Sequence, residues 1–430
     1  RLEAKSSNIS QIIDSVYVGE VWLAGGQSNM AWQLAKDLNG KQAVNEATNT
    51  KIKLLMVPQI YYEGHKVKNN SLKWKNATGD DVGEMSAVAY YFAKELQGNL
   101  GVPVGIVCCY KGGTAAEVWM SKESLEKNAD FKPILIRYDS ILSSYGENGY
   151  QEAYDVYTKE LREYRNAVKA NDATAKRPTE PMGSYSYKRP VGLYESMLKK
   201  IIPYTFRGTI WYQGEANASR AEQYQKLFPA LIKLWRDDFK NPKMPFLFVQ
   251  LSNYDHPNYG QNPNWAELRE AQLKTWDNVS HTAMAVSIDV GNKNDIHPIE
   301  KQPVGERLAA AALATVYGSK IEYSGPVYKK FTIKENYILL DFNHVGNGLA
   351  IKNGSELKGF FICGDDKQFT PAQAEIVGNQ IKVWADNIQK PTAVRYGWAN
   401  YTDANLFNKN GFPATPFRTD NFDLITKGKK

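Results

Sequence analysis

The sequence predicts an α/β fold, in which helices cover both faces of a parallel sheet, followed by an antiparallel β region near the C terminus. Short continuous apolar runs, such as 52–57 and 104–110, alternate with helix-period stretches such as 87–96, which is typical of a buried parallel sheet. From about residue 320, strand-like runs are separated by turns rich in Gly and Asn, and this pattern predicts antiparallel strands.

Composition and charge narrow the functional classes. With 43% hydrophobic and 23% charged residues, the chain resembles an ordinary globular protein. The formal net charge is +7, but basic and acidic residues are interspersed, so we expect no nucleic-acid partner. No apolar run reaches the roughly 18–20 residues that a membrane span needs. No Gly-x-Gly-x-x-Gly or Gly-Lys-Ser/Thr loop follows a predicted core strand, which disfavours a nucleotide-dependent enzyme.

The cysteines and the start of the chain bear on the cellular compartment. Cys108, Cys109 and Cys363 have neither metal-binding spacing nor an assignable disulfide framework, so they leave the compartment open. The chain begins at Arg1 rather than Met, and its first residues carry no apolar signal segment. We therefore expect a mature or truncated product, and the missing leader does not argue for the cytosol.

The pattern of residue types along the sequence predicts three regions. Residues 1–18 alternate weakly and form a residual β segment, a candidate to pair with the C-terminal β region. Residues 19–320 contain the α/β pattern and form the main domain. Because single cores seldom exceed roughly 250–300 residues, we expect the rest of the chain to form an appendage to it. Within the main domain, 121–190 is charged and rich in tyrosine, which predicts an insertion. Residues 321–430 form a β-rich domain.

The turn Gly25-Gly26-Gln27-Ser28-Asn29-Met30 lies between a predicted buried strand and a helix. Its glycines permit a sharp turn, and the following helix start presents free N–H groups to a developing anion. Ser28 is therefore our candidate nucleophile. Because such turns are common, other segments must supply a base and donors for an oxyanion.

Polar groups that could bind an oxyanion follow two other predicted strands. Gly113, just after the run 104–110, could offer its backbone N–H, or the glycines there could simply close a turn. Gln213 and Asn217 follow the run 208–212 and are neutral amide donors that suit an oxyanion. One of these amides could instead cap the next helix; Gln213 is preferred because it lies nearer the strand end.

The base is predicted from the five histidines of the chain. His297 lies close to the carboxylate of Asp295, in a loop that leaves a core strand. Asp295 could accept a hydrogen bond from one imidazole nitrogen, so that the other nitrogen takes the Ser28 proton. Asp289 is the alternative orienting acid. The remaining histidines are better read as surface or structural residues: His65, His256, His281 and His344.

Three further residues complete the predicted site. Trp119 could wall the cleft or simply pack, and Gln27 and Glu215 complete the substrate-binding set. In the insertion, Tyr185, Tyr187 and Arg189 are candidates for the rim of the site, because loops placed by a rigid scaffold often carry specificity.

Taken together, these stretches resemble the sialate O-acetylesterase family, a carbohydrate-esterase branch of the SGNH hydrolases. The resemblance covers nearly the whole chain except the insertion at 121–190, and its motifs occur in the same order. The matching phrases are Gly19-Glu20-Val21-Trp22, Gly26-Gln27-Ser28-Asn29-Met30, Gly112-Gly113-Thr114, Trp211-Tyr212-Gln213-Gly214-Glu215-Ala216-Asn217, Trp265-Ala266-Glu267-Leu268-Arg269-Glu270-Ala271-Gln272, Asp295-Ile296-His297-Pro298, Gly305-Glu306-Arg307-Leu308, Val394-Arg395-Tyr396-Gly397-Trp398 and Pro416-Phe417-Arg418-Thr419.

The resemblance implies a flavodoxin-like three-layer sandwich and removal of O-acetyl groups from sugars, without metal or cofactor, through an acetyl-enzyme intermediate. It implies Ser28 as nucleophile, His297 as base and Gly113 as an oxyanion donor. SGNH enzymes place their aspartate three residues before the histidine, where this chain has Asn294, so Asp295, Asp289 or no acid could orient His297.

The resemblance also implies a substrate and a compartment. O-acetylated sialic acid is the predicted substrate. The alternative substrate is a polysaccharide such as acetylated xylan. The alternative function is that of a non-catalytic carbohydrate-binding protein. The family further implies export to the periplasm or outside the cell.

Overall fold

The computed structural model describes residues 2–7, 9–14, 16–67, 72–170, 172, 174–260 and 262–430. The α/β part contains these strands, numbered along the chain: β1 (Leu2–Lys5), β2 (Ser10–Ile13), β3 (Glu20–Gly26), β4 (Ile52–Met56), β5 (Lys75–Asn76), β6 (Val104–Tyr110), β7 (Gly208–Tyr212), β8 (Phe246–Val249) and β9 (Thr282–Ala285). The C-terminal part contains β10 (Val327–Ile333), β11 (Ile338–Asn343), β12 (Leu349–Ile351), β13 (Phe360–Cys363), β14 (Thr370–Pro371), β15 (Gln373–Val377), β16 (Gln380–Trp384), β17 (Ala393–Tyr396), β18 (Leu406–Asn408) and β19 (Phe417–Arg418).

In the part of the chain that the structure describes, every α-helix lies between β3 and β10. They are α1 (Gly40–Glu46), α2 (Gly79–Gly83), α3 (Ala87–Leu100), α4 (Lys122–Glu126), α5 (Lys132–Ser144), α6 (Gly149–Lys169), α7 (Gly192–Ser196), α8 (Ala221–Asp238), α9 (Asn264–Asn278) and α10 (Gln302–Thr315). Within the described ranges, none combines the length and the apolar character that crossing a membrane would take.

A seven-stranded sheet forms the centre of the α/β part, in the order β5-β4-β6-β3-β7-β8-β9. Every neighbouring pair is parallel except β4 and β5. β3 lies between β6 and β7, and its last residue, Gly26, pairs with Tyr110 and Tyr212. The register therefore brings the turns after these three strands to one edge of the sheet, where α/β folds bind their ligands.

Helices cover both faces of this sheet, as Trp22 and Gly25 show. Trp22 packs against Phe92 of α3 on one face, with ring centroids 5.0 Å apart. Gly25 faces the opposite side, where a Cβ atom would lie 2.8 Å from Trp211 and 3.1 Å from Trp235 of α8. The layers on the two faces confirm the predicted α/β sandwich.

The C-terminal part consists of antiparallel sheets, as the sequence predicts. One sheet has the order β10-β11-β16-β15, a second has the order β14-β13-β17-β19, and β12 pairs with β18. Alternating residues of these strands, such as Ile338 and Leu340, form an apolar cluster distinct from that of the parallel sheet. The domain limits near residue 320 stay a prediction.

The N-terminal strands differ from expectation. β1 pairs antiparallel with β2, from Leu2 opposite Ile13 to Lys5 opposite Ser10, and the two form their own sheet. The expected pairing of this segment with the C-terminal β region is therefore wrong for the described strands. A hairpin closes a much shorter loop than a pairing across the whole chain, so its entropic cost is lower.

The turn that follows β3 requires glycine at position 26. Gly26 has φ +130°, and a Cβ atom there would lie 2.2 Å from the carbonyl oxygen of Tyr212. We expect Gly26→Ala to lower the free energy of unfolding by at least about 2 kcal/mol, because strain and overpacking add. Denaturant unfolding measures this change.

Gly98 of α3 provides the matched control, since a Cβ atom there meets no atom within 4 Å. Gly98→Ala should leave stability unchanged or raise it by roughly 0.5–1 kcal/mol. A Gly26→Ala protein as stable as the wild type would contradict the assigned geometry of the turn.

Candidate active site

Ser28 lies where the turns after β3 and β6 touch. A Cβ atom on Gly112 would lie 3.3 Å from the Cβ of Ser28. Ser28, Gly113 and His297 line the same cleft, of about 500 Å³. Ser28 and His297 also line a second groove, of about 700 Å³, on the side of β4. The structure thus brings the predicted nucleophile, base and glycine donor to one place.

Backbone N–H groups at this place are available to a ligand. In the described part of the chain, neither the N–H of Ser28 nor that of Gly113 has a hydrogen-bond acceptor. Gly113 has φ +73°, a conformation that glycine adopts without strain. Two unpaired donors beside a serine can stabilise the negative oxygen of a tetrahedral intermediate.

The His297 ring is held by stacking and by its loop. It stacks on Trp32, with ring centroids 5.7 Å apart and planes 18° apart. Asp295 Oδ1 accepts a hydrogen bond from the backbone N–H of His297 at 2.8 Å and lies 3.7 Å from its Nδ1. The carboxylate is thus close to the ring without bonding to it directly.

Three influences set the protonation of His297. Partial burial lowers its pKa below the ordinary value, the charge of Asp295 raises it, and the charge of Lys301 lowers it. The net shift is downward, so the imidazole is neutral at pH 7 and can act as a base.

Asp289, the alternative orienting acid, is engaged elsewhere. Its two oxygens accept hydrogen bonds from Arg307 at 2.6 and 2.8 Å, and Lys352 lies 3.4 Å away. Burial alone would raise the pKa of Asp289, but these cations hold it below the ordinary value. Asp289 therefore anchors α10 through Arg307.

The two amides predicted to bind the oxyanion are not available for it. Gln213 is fully buried; its Nε2 donates to Asn217 Oδ1 at 2.7 Å and its Oε1 accepts from the Tyr224 hydroxyl at 3.0 Å. Asn217 Nδ2 donates to Glu117 at 2.8 Å, and its Oδ1 accepts from the backbone N–H of Ala116. We therefore correct this prediction: the amides tie the end of β7 to the segment that follows Gly113.

Of the three predicted substrate-binding residues, two line the cleft, whereas the structure selects the packing alternative for Trp119. The Trp119 side chain is wholly buried, and its Nε1 donates to the Thr114 hydroxyl at 3.0 Å, so it packs in the core. Gln27 and Glu215 line the cleft beside Ser28. With its nitrogen turned toward the acceptors around it, the Gln27 amide donates to Glu215 Oε2 at 3.1 Å.

A buried network that the sequence analysis missed connects the nucleophile turn to the histidine loop. Asn29 Nδ2 donates to Glu215 Oε1 at 2.6 Å and to the carbonyl of Ile296 at 3.0 Å. Its Oδ1 accepts from Lys301 Nζ at 2.6 Å. Asn29 follows Ser28 and Ile296 precedes His297, so one side chain holds the two reactive residues together.

Lys301 is the cation of this network. Its side chain has no exposed surface, and its ammonium lies over the rings of Trp32 and Tyr212. Burial lowers the pKa of Lys301 to about 7, although the charges of Glu215 and Asp37 oppose the shift. Burial likewise raises the pKa of Glu215. The position of Lys301, four residues after His297 and directly before α10, is the sequence signal that could have identified this lysine.

Within the described ranges, no group of three or more His, Cys, Asp or Glu side chains is arranged to hold a metal ion.

Comparisons with known proteins identify relatives of this chain. A solved carbohydrate acetylesterase from Xanthomonas citri is 35% identical, with a TM-score of 0.78; the match covers 98% of this chain and 85% of that one. Sialate O-acetylesterase of Rattus norvegicus is 26% identical, covering 96% of this chain and 79% of its own. The Homo sapiens enzyme of the same name is 27% identical, covering 95% and 76%.

A family model matches as well, and it includes the segments that carry the site. The model is described as carbohydrate esterase, sialic acid-specific acetylesterase, and it matches residues 18–179 and 173–314. These ranges include Ser28, Gly113 and His297. The chain therefore belongs to the family of sialic acid-specific carbohydrate acetylesterases.

Proposed function

We propose that this protein is a serine esterase that removes O-acetyl groups from sugars through an acetyl-enzyme intermediate. The observation that carries the proposal is the meeting of Ser28 and His297 in one cleft, beside the unpaired N–H groups of Ser28 and Gly113. A nucleophile, a base and oxyanion donors are the parts that acyl transfer requires.

The proposed reaction has two halves. Ser28 Oγ attacks the acetyl carbonyl while the imidazole of His297 takes its proton, and the N–H groups of Ser28 and Gly113 bind the oxyanion. The imidazolium then protonates the departing sugar oxygen, leaving acetate esterified to Ser28. A water molecule, deprotonated by His297, attacks this ester, and acetate leaves as the Ser28 hydroxyl is restored.

Asp295 is the proposed electrostatic partner of His297. Its carboxylate lies 3.7 Å from Nδ1 and raises the pKa of the ring, so it favours the imidazolium that forms during the reaction. Because Asp295 is exposed, water weakens this effect, and we assign it a smaller part than that of Ser28 or His297.

The proposed substrate is O-acetylated sialic acid, supported by membership of the family. Acetylated xylan is the alternative, and the name of the Xanthomonas citri relative, which gives only a carbohydrate substrate, fits either. Acetate release from O-acetylated sialic acid and from acetylxylan, measured side by side, separates the two. Sugar binding without acetate release would favour a non-catalytic binding protein.

Export to the periplasm or beyond is also proposed, and cell fractionation tests it.

Ser28→Ala tests the nucleophile. We expect kcat on a chromogenic acetyl ester to fall by at least about 10³-fold, because no other group can form the acetyl-enzyme. The exposed residue Ser355, in the β-rich region, provides the control, and Ser355→Ala should keep wild-type activity. Near wild-type hydrolysis by Ser28→Ala would refute the proposed mechanism.

Asp295→Asn tests the electrostatic partner. The acid limb of the kcat/KM profile reports the pKa of the free-enzyme base, and the charge of Asp295 raises that pKa. Removing the charge should therefore move the acid limb to lower pH, with a loss of rate much smaller than that of Ser28→Ala. A pH-rate profile measures both. A limb that stays in place would exclude Asp295 as the partner of His297.

Lys301→Met tests the buried cation, with the opposite sign. Because Lys301 lowers the pKa of His297, its loss should move the acid limb to higher pH and should also reduce kcat as Asn29 loses its donor. Lys293→Met, which removes an exposed lysine of the same loop, should leave the limb in place. Thermal unfolding verifies that each variant is folded. An unmoved limb in folded Lys301→Met would contradict this electrostatic role.

A further inference from the structure

A second cavity, of about 450 Å³, lies next to the Ser28 cleft, and the proposed reaction does not use it. Six tyrosines, three arginines and Lys111 are among the residues that line it. α6 and the loop after it contribute most of these side chains, and residues 61–65 form the opposite wall. The predicted insertion therefore builds this cavity against the α/β part.

The cavity and the Ser28 cleft adjoin each other. Lys111, Arg177 and Tyr187 line both of them. The hydroxyl of Tyr187 lies 3.7 Å from the position of a Cβ atom on Gly113, the proposed oxyanion donor. A molecule whose ester lies at Ser28 can therefore extend into the cavity if it is longer than one sugar.

The tyrosines of the cavity offer flat apolar faces with hydroxyl groups at their edges. Tyr185 packs against Tyr62 and Tyr154, with ring centroids 4.8 and 5.2 Å apart, and Tyr61 packs against Tyr187 at 5.4 Å. This packing fixes the rings in place before any ligand arrives. A pyranose ring has the matching chemistry, since its C–H faces stack on aromatic rings and its hydroxyls form hydrogen bonds.

One polar atom in the cavity lacks a partner. Glu180 Oε2 is buried, and among the described residues nothing donates a hydrogen bond to it. A buried acceptor without a donor is costly, and native structures contain few of them. Glu180 lines the cavity, so a small rotation of its side chain would present Oε2 to a sugar hydroxyl, while Arg162 and Arg165, which also line the cavity, could donate to sugar oxygens.

We propose that this cavity is a subsite for a second sugar unit, linked to the sugar whose acetyl ester lies at Ser28. The inference rests on the proposed function, because it takes the Ser28 cleft as the place of ester cleavage. The enzyme then acts better on acetylated oligosaccharides than on acetylated monosaccharides, and the insertion is the element that recognises the longer chain.

The test compares matched pairs of substrates on the full chain: O-acetylated N-acetylneuraminic acid with O-acetylated sialyllactose, and acetylated xylose with acetylated xylotetraose. For at least one pair, kcat/KM should be about tenfold or more higher on the oligosaccharide. Glu180→Met, which removes the unpaired acceptor at similar size, should lower that ratio by about tenfold, mainly through KM. Glu163→Met removes an exposed carboxylate of α6 outside the cavity and should keep the ratio.

Three results would overturn the subsite: equal kcat/KM within both pairs, a ratio in Glu180→Met that equals that of Glu163→Met, or equal binding of both members of each pair. If Glu180→Met fails to fold, Tyr157→Ala on α6 carries the same comparison. A wild type no more active than Ser28→Ala on the chromogenic ester refutes the proposed function instead. In that case, calorimetry of each pair of sugars binding to wild type and to Glu180→Met tests the subsite without depending on esterase activity.

Discussion

The arrangement of the site depends on the three buried hydrogen bonds of Asn29. The register of β3 between β6 and β7 brings Ser28 to the carboxyl end of the sheet. His297 lies on the segment after β9, the edge strand three positions from β3. Asn29 bonds that loop through the carbonyl of Ile296, and it is itself fixed by Glu215 and Lys301. Because an unmet buried polar group is costly, any movement of either loop would leave one of these partners unsatisfied.

The same network explains how a buried lysine is tolerated near a base. When both are ionised, Lys301 and Glu215 carry opposite charges on either side of the Asn29 amide, and removing one member of a buried pair typically costs about 3–5 kcal/mol. The cation disfavours imidazolium at His297, whereas the exposed Asp295 favours it. Burial of the ring lowers the pKa of His297 most, and the remaining shift is a balance between a buried charge, which water screens little, and an exposed one, which water screens strongly.

Local patterns predicted the features that a short stretch of chain determines. The apolar strands, the Ser28 turn and the loop of His297 are of this kind, and so are the antiparallel strands after residue 320. Gln213 and Asn217 are misassigned because an amide after a strand looks the same whether it faces a ligand or a neighbour. Here Tyr224, 11 positions further along, donates to Gln213, and Asn217 donates to Glu117, 100 positions away. Lys301 was missed for the same reason, since its partner Asn29 is 272 positions away.

The division of labour between scaffold and insertion follows from these differences in packing. Asn29, the neighbour of Ser28, is held by buried hydrogen bonds to Glu215 and Lys301, so substitutions in this network disturb the fold as well as the reaction. α6 buries no residue fully, and its Tyr150 and Tyr154 pack against Tyr185, so its cavity-facing side chains can change at little cost to stability. An acetylesterase built this way can keep one hydrolytic reaction while the insertion alters which glycan reaches Ser28.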